Sequence, residues 1–251
     1  GLFVFTLSRI RLLPAPERKT PPARLSTVLE GVRFIWNHPL ILTAITLDLF
    51  AVLLGGAVYL LPIYAKDILG VGKLGLGVLR AAPAVGALIT ALVLAHLPPM
   101  KRAGRNLLLC VAGFGVATII FGISRNFWLS AAMLMLTGTF DNVSVIIRHT
   151  LIQMRTPDEM RGRVSAVTMI FIGSSNEIGG FESGTVAHFF GPVISVVSGG
   201  IGTLVVVAVT TWLAPSMRKF GRLVRPEDEE ETPTGDADSA PGPDSDPTPD
   251  T

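Results

Sequence analysis

Five ionisable side chains, Asp48, Asp141, Arg148, Glu177 and Glu182, stand inside otherwise apolar blocks of this sequence, with Arg80 and His149 nearer the block ends. In hydrocarbon a charged side chain costs roughly 2.5–3.5 kcal/mol on insertion scales. Such groups therefore face protein or water, and the chemistry they suit is holding or passing a polar solute or a proton. One block gives the clearest pattern: Thr137, Asp141, Ser144 and Arg148 fall at i, i+4, i+7 and i+11, a single helix face. A stripe of this kind lines a water-filled path, its two charges partly compensating, or it clamps helices together through an ion pair. In the next block Thr168, Ser175 and Glu182 recur every seven residues. On a second face of that block stand Gly173, Glu177, Gly180 and Gly184, and Gly180-x-x-x-Gly184 has the spacing of a tight helix contact. Glu177 on that face is either a buried structural partner or a transport residue, and Asp48 carries the same two readings.

Other chemistries find no support. Cys110 is the only cysteine, so no internal disulfide or cysteine metal cluster forms, and the four histidines lack metal-ligand spacing. Gly70-Val-Gly72-Lys-Leu-Gly75 matches a nucleotide-binding pattern literally, but it joins two apolar blocks instead of a strand and a helix, and it reads as a turn. Asn142-Val-Ser144 is a formal glycosylation acceptor in the middle of a block. No cofactor is expected, and no enzyme.

The elements that position these residues follow from composition. The chain has 251 residues, of which 49% are hydrophobic and 16% charged, with mean hydropathy +0.54. A soluble domain carries about 25% charged residues. Blocks of about 20 apolar residues cross a bilayer as helices, because every backbone polar group in lipid must be bonded internally. Six are expected, at 41–65, 74–97, 106–124, 128–150, 164–187 and 191–214, making an all-α polytopic membrane protein.

Ten of the nineteen acidic residues lie in 227–251, which leaves residues 1–226 with 21 basic and 9 acidic groups. That excess reads as membrane topology and not as a nucleic-acid surface. Seventeen basic residues collect on one side of the six spans, and four (Lys66, Lys73, Arg80 and Arg125) on the other. Positive charge favours the cytoplasm, so both ends of the chain are expected there. Residues 1–8 read as the end of a preceding membrane helix and 9–40 as a cytoplasmic linker. Within the linker, Thr27 to Glu30 resembles a capping box, leading into an amphipathic helix on the membrane surface. Residues 215–251 read as a basic and then acidic tail, its part from 226 onward disordered for want of apolar residues. Between the fourth and fifth spans, Thr156 suits a helix N-cap, Pro157 the first helical position and Glu159 the reciprocal cap of a short surface helix.

Several runs resemble a known family. Arg102-Ala-Gly104-Arg105 is similar to the end of the cytoplasmic-loop signature of the major facilitator superfamily, and Arg161-Gly162-Arg163 to its second basic turn. The run from Asp158 to Gly184, the stretch from Leu69 to Ala87 and the Asp141-x-x-Ser144-x-x-x-Arg148 pattern resemble the branch containing the enterobactin exporter and related efflux proteins. Leu97 and Lys101 stand where the full signature has Gly and Asp, and Gly180 where the branch often has an acid.

The resemblance implies twelve helices in two halves, with these six spans as the C-terminal six-helix bundle. Each half would hold two inverted three-helix repeats, with the substrate site near mid-membrane between halves. It also implies proton-coupled efflux of a small molecule such as a siderophore or drug across a bacterial inner membrane. The partners are the lipid bilayer, the missing N-terminal six-helix half and the small-molecule substrate. A non-transporting scaffold or receptor would need no mid-membrane polar stripe, and a membrane enzyme would need His, Asp or Cys clustered near one interface.

Overall fold

The computed structural model describes residues 25–97, 100 and 102–221. The expectations for residues 1–8, for the first part of the linker and for the acidic tail lie outside those residues. Apolar blocks become helices: α1 (Leu25–Asn37), α2 (Pro39–Leu54), α3 (Lys73–Ala95), α4 (Ala103–Ile123), α5 (Phe127–Arg155), α6 (Asp158–Phe190), α7 (Pro192–Leu213) and α8 (Pro215–Lys219). No strand occurs among the described residues. The GxGxxG match is a helix–helix turn, with Gly70 at φ +61° supplying the left-handed residue that ends one element before α3 begins.

Five elements are long and apolar enough to cross a membrane: Pro39–Ile68, Lys73–Ala95, Ala103–Ile123, Phe127–Arg155 and Pro192–Leu213. The chain is thus an all-α polytopic membrane protein. The expected fifth span, in α6, is absent from that set although it runs 33 residues, about 50 Å at helical rise. Its glutamates, serines and glycines dilute its hydropathy. It nevertheless packs on both α1 and the first span: a Cβ on Gly31 of α1 would meet the Arg163 carbonyl, one on Gly179 the Leu53 carbonyl, and one on Gly56 the Ser183 side chain.

The first span is broken. α2 stops at Leu54, where the Gly55 N–H bonds the Ala51 carbonyl at 2.9 Å. A 3₁₀ turn (Gly56–Leu60), one α turn (Leu61–Ile63) and a π turn (Tyr64–Ile68) complete it. Adjacent glycines weaken the helix, and Pro62 removes a donor just beyond. The outer piece is anchored by Tyr64, which is fully buried, stacked on Phe121 and donating its hydroxyl to the Gly122 carbonyl at 2.9 Å.

The long elements pack in a pattern with internal order. α3 lies on α5 and α2 on α6; α4 lies on α5 and α2 on α7; α4 packs on α7, and α2 touches α5. Exchanging the first three spans for the last three, in order, turns each of the first two pairs of contacts into its mate and leaves the last two unchanged. Two three-span units related by an approximate two-fold axis would pack this way, although α6 also packs on α7 with no α3–α4 contact of that extent to match it among the described residues.

The α3–α5 crossing is close. Gly86 of α3 abuts the Met135 carbonyl, and Gly138 of α5 abuts the Pro83 carbonyl, so each helix presents a glycine where its partner's backbone passes. One end of the bundle gathers α1, the starts of α2, α4 and α6, the end of α5, and α8. Ile41, Ile45, Ile152, Val164 and Val167 pack there, beside a second cluster of Ala103, Leu107, Leu151 and Met217. The opposite end gathers Leu60, Tyr64, Leu79, Phe121 and Val196.

α1 is docked on protein through Val28, Val32 and Ile35 while Leu29 and Trp36 are exposed, so only one of its apolar faces is free for a membrane surface. Leu25 already lies in this helix, so Thr27 is inside it and does not cap it. The turn before α6 also departs from expectation. Pro157 is the cap residue, Thr156 is buried with its Oγ1 unpartnered among the described residues, and no separate surface helix precedes α6. Proline's missing donor is harmless there, and Asp158 and Glu159 in the first turn suit the positive end of the helix.

Candidate functional site

The stripe on α5 divides when it is folded. Thr137, Ser144 and Arg148 are buried, whereas Asp141 reaches the surface. Thr137 donates its hydroxyl to the Leu134 carbonyl at 2.7 Å, which satisfies it within its own helix. Arg148 does not pair with Asp141. Seven residues separate them along one helix, a rise of roughly 10 Å, beyond ion-pair reach. Instead its guanidinium meets the Asp48 carboxylate of α2, and the two side chains are 3% and 8% exposed. Arg148 Nε has no hydrogen-bond partner among the described residues. The clamp reading therefore holds for Arg148, and its partner is Asp48. Asn142, beside Asp141, donates its amide to the Ala87 carbonyl of α3 at 3.0 Å, which fixes the rotation of α5 that leaves Asp141 open.

On α6, Thr168 and Ser175 turn inward, donating to the carbonyls of Val164 and Phe171 at 2.9 Å each. Glu182 is half-exposed and accepts from Ser183 Oγ at 3.3 Å. The glycine face differs from expectation. The tight contacts are made by Gly179, where a Cβ would lie 2.7 Å from the Leu53 carbonyl, and by Ser183 against Gly56. Gly173 and Gly184 have nothing within 4 Å, Gly180 meets only the Tyr59 ring, and Glu177 is exposed. The spacing of Gly180-x-x-x-Gly184 is right for packing, but that face points away from the bundle.

The two basic turns lie at the same end of the molecule. Arg102, at the α4 cap, and Arg105, in its first turn, are exposed and carry no ion pair among the described residues. Gly104 between them is buried against the Met217 carbonyl of α8. Arg161 pairs with Asp158 at 2.8 Å and donates Nε to the Thr156 carbonyl at 3.3 Å. Arg163 reaches across to Glu30 of α1 at 2.5 Å, and Gly162 between the arginines faces open space. The Glu30 contact is invisible to sequence spacing, since 133 residues separate the partners. The break at Gly55 is also hidden by the apolar run, although Gly55-Gly56 and Pro62 are a usable signal.

The arrangement thus holds one buried ion pair between the first and fourth spans and two surface carboxylates, Asp141 and Glu177, within membrane-length helices. No group of three or more His, Cys, Asp or Glu side chains able to hold a metal occurs among the described residues.

Comparison with known proteins gives a consistent result. The family model described as Major Facilitator Superfamily matches residues 1–180. The enterobactin exporter EntS of Shigella flexneri is 28% identical over 224 residues, covering 88% of this chain and 52% of that protein. The enterobactin exporter EntS of Escherichia coli O1:K1 is 28% identical over 214 residues, covering 85% and 51%. The chain spans about half the length of the curated relatives it matches. No solved structure matches it.

Proposed function

The chain belongs to the major facilitator superfamily, a family of membrane transporters and not of enzymes, and from that premise we propose that it forms the C-terminal six-span half of a twelve-span exporter. In this reading α6 is the fifth span and a second six-span half covers the face that carries Asp141 and Glu177. The observation that carries the reading is the exposure of Asp141 on a helix otherwise apolar enough to cross the membrane, together with that of Glu177 on α6. Facing hydrocarbon, each would cost a few kcal/mol. Facing a water-filled cavity between two halves, each is solvated and can meet a solute. The three-for-three contact pattern supports an inverted-repeat bundle, and the half-length match to the relatives supports a missing partner half.

Mechanistically, transport is a rocking of this bundle against its partner, which opens the shared cavity to one side and then the other. The Asp48–Arg148 pair holds the first and fourth spans together through that motion. Asp141 exchanges a proton with the cavity, and Glu177 and Glu182 extend its acidic lining. The exported molecule is a siderophore or drug, in keeping with the relatives' naming as enterobactin exporters. The membrane is a bacterial inner membrane, with Arg102, Arg105, Arg161 and Arg163 on its cytoplasmic side.

The test is Asp141→Asn in the intact gene product, with export of enterobactin and of a panel of drugs measured from energised cells. Export of at least one compound should fall about tenfold or more, in line with loss of one proton-transfer group, at unchanged abundance in the membrane. Unchanged export of every compound handled by the wild type would remove Asp141 from the mechanism.

A further inference from the structure

Two grooves flank α7, and they differ in charge. The one on the α2 side, about 490 Å³, is lined by residues such as Leu42, Phe50, Val205 and Leu213, with no charged side chain. The one on the α4 side, about 580 Å³, has Arg105 and Pro215 at its mouth and Leu108, Leu109, Ala112 and Val207 along its walls. Both fall in the size range of small-molecule sites, about 300–1,000 Å³. In the second groove the lining hydroxyl of Thr211 is bonded to the Val207 carbonyl at 2.6 Å, leaving the guanidinium as the polar group without a partner among the described residues. Ala112 stands seven residues beyond Arg105 on α4, roughly 10 Å deeper. The cavity is therefore cationic at its mouth and apolar for two helical turns below.

That profile matches an anionic amphiphile. The exposed Arg102 lies one turn from Arg105, and neither the first turn of α4 nor that of α8 carries an acidic residue. Leu109 is 57% exposed, so the wall opens sideways to the bilayer that surrounds the protein. A guanidinium offers a phosphate two parallel hydrogen bonds, and basic pockets between membrane helices suit anionic headgroups. We propose that this groove binds an anionic glycerophospholipid, with its headgroup phosphate on Arg105 and one acyl chain along Leu108, Leu109 and Ala112. The uncharged groove across α7 lacks the headgroup anchor and shows no such selectivity.

The experiment is native mass spectrometry of the purified chain in detergent, titrated with phosphatidylglycerol, with phosphatidylcholine of the same acyl chains, or with glycerol phosphate. Phosphatidylglycerol should bind about fivefold better than phosphatidylcholine, the factor expected of one arginine near an anionic headgroup, and glycerol phosphate should not compete. Arg105→Gln should lower phosphatidylglycerol binding to the phosphatidylcholine level. Arg125→Gln, at the other end of the bundle, should leave the preference intact. Ala112→Phe, which fills the groove, should reduce both lipids. Equal binding of the two lipids by the wild type, an undiminished preference in Arg105→Gln, or lipid binding untouched by Ala112→Phe would each overturn the proposal. Competition by glycerol phosphate as strong as by the lipid would show a plain phosphate site instead. Arg105→Gln alters an exposed side chain, so its result stands even if Ala112→Phe fails to fold.

Discussion

Asp48 and Arg148 are tolerable inside the bundle only because they meet. Each is almost wholly removed from solvent, and each is the other's counter-ion. Removing one partner of such a pair leaves an uncompensated charge and costs about 3–5 kcal/mol, whereas replacing both with apolar residues of similar volume is often close to neutral. Asp48→Ala or Arg148→Ala alone should therefore cut the thermal stability of the detergent-purified chain sharply. Asp48→Leu with Arg148→Met should recover most of it, as read by unfolding monitored through helical circular dichroism. Equal loss in the single and double variants would mean the pair is not the clamp. Glu177→Gln should leave the same melting curve in place, because that side chain touches nothing that stabilises the bundle. The sequence announces all of these residues as costly in lipid, but not which ones meet. The spacing of Asp141 and Arg148 describes one helix face, while the pairing that forms depends on how α2 lies against α5, information that no single helix carries.

At the scale of elements, apolar length is legible in the sequence and facing is not. The blocks at 74–97, 106–124 and 191–214 correspond to Lys73–Ala95, Ala103–Ile123 and Pro192–Leu213, since a bilayer sets span length and composition obeys it. On the proposed reading α6 shows where the rule thins: a helix with one face on its neighbours and another open to a polar space needs fewer apolar residues. Its glycines show the same limit, because Gly179 makes the tight contact and not the Gly180 and Gly184 that match the motif. The break after Leu54 is a local event that the continuous apolar run conceals. The reciprocal glycines of α3 and α5 give the sharpest prediction here. Gly138→Leu must force the Pro83 backbone away and should destabilise the chain by about 1–3 kcal/mol, the usual range for overpacking. Gly173→Ala, in open space, should have no measurable cost. Similar melting temperatures for the two variants would contradict the crossing described. The Glu30–Arg163 link is partly exposed and belongs with surface pairs worth about 0–1 kcal/mol, so α1 owes its place mainly to Val32 and Ile35.

For the whole molecule, charge and packing agree. The described basic residues Arg102, Arg105, Arg155, Arg161 and Arg163 share the end of the bundle that holds α1 and α8, while Lys66, Lys73 and Arg125 lie at the other. Most of the contact pattern maps onto itself when the first three spans are exchanged for the last three, the α6–α7 contact being the main exception, and Asp141 and Glu177 are each left exposed. On the proposed reading these exposed carboxylates line a transport path only against a second half. Enterobactin export measured in proteoliposomes with an imposed proton gradient tests it most directly, comparing the 251-residue chain alone with the intact gene product. Export by the intact product is expected, with none by the chain alone and recovery when the complementary six-span half is co-reconstituted. Export by the chain alone at the rate of the intact product would contradict it.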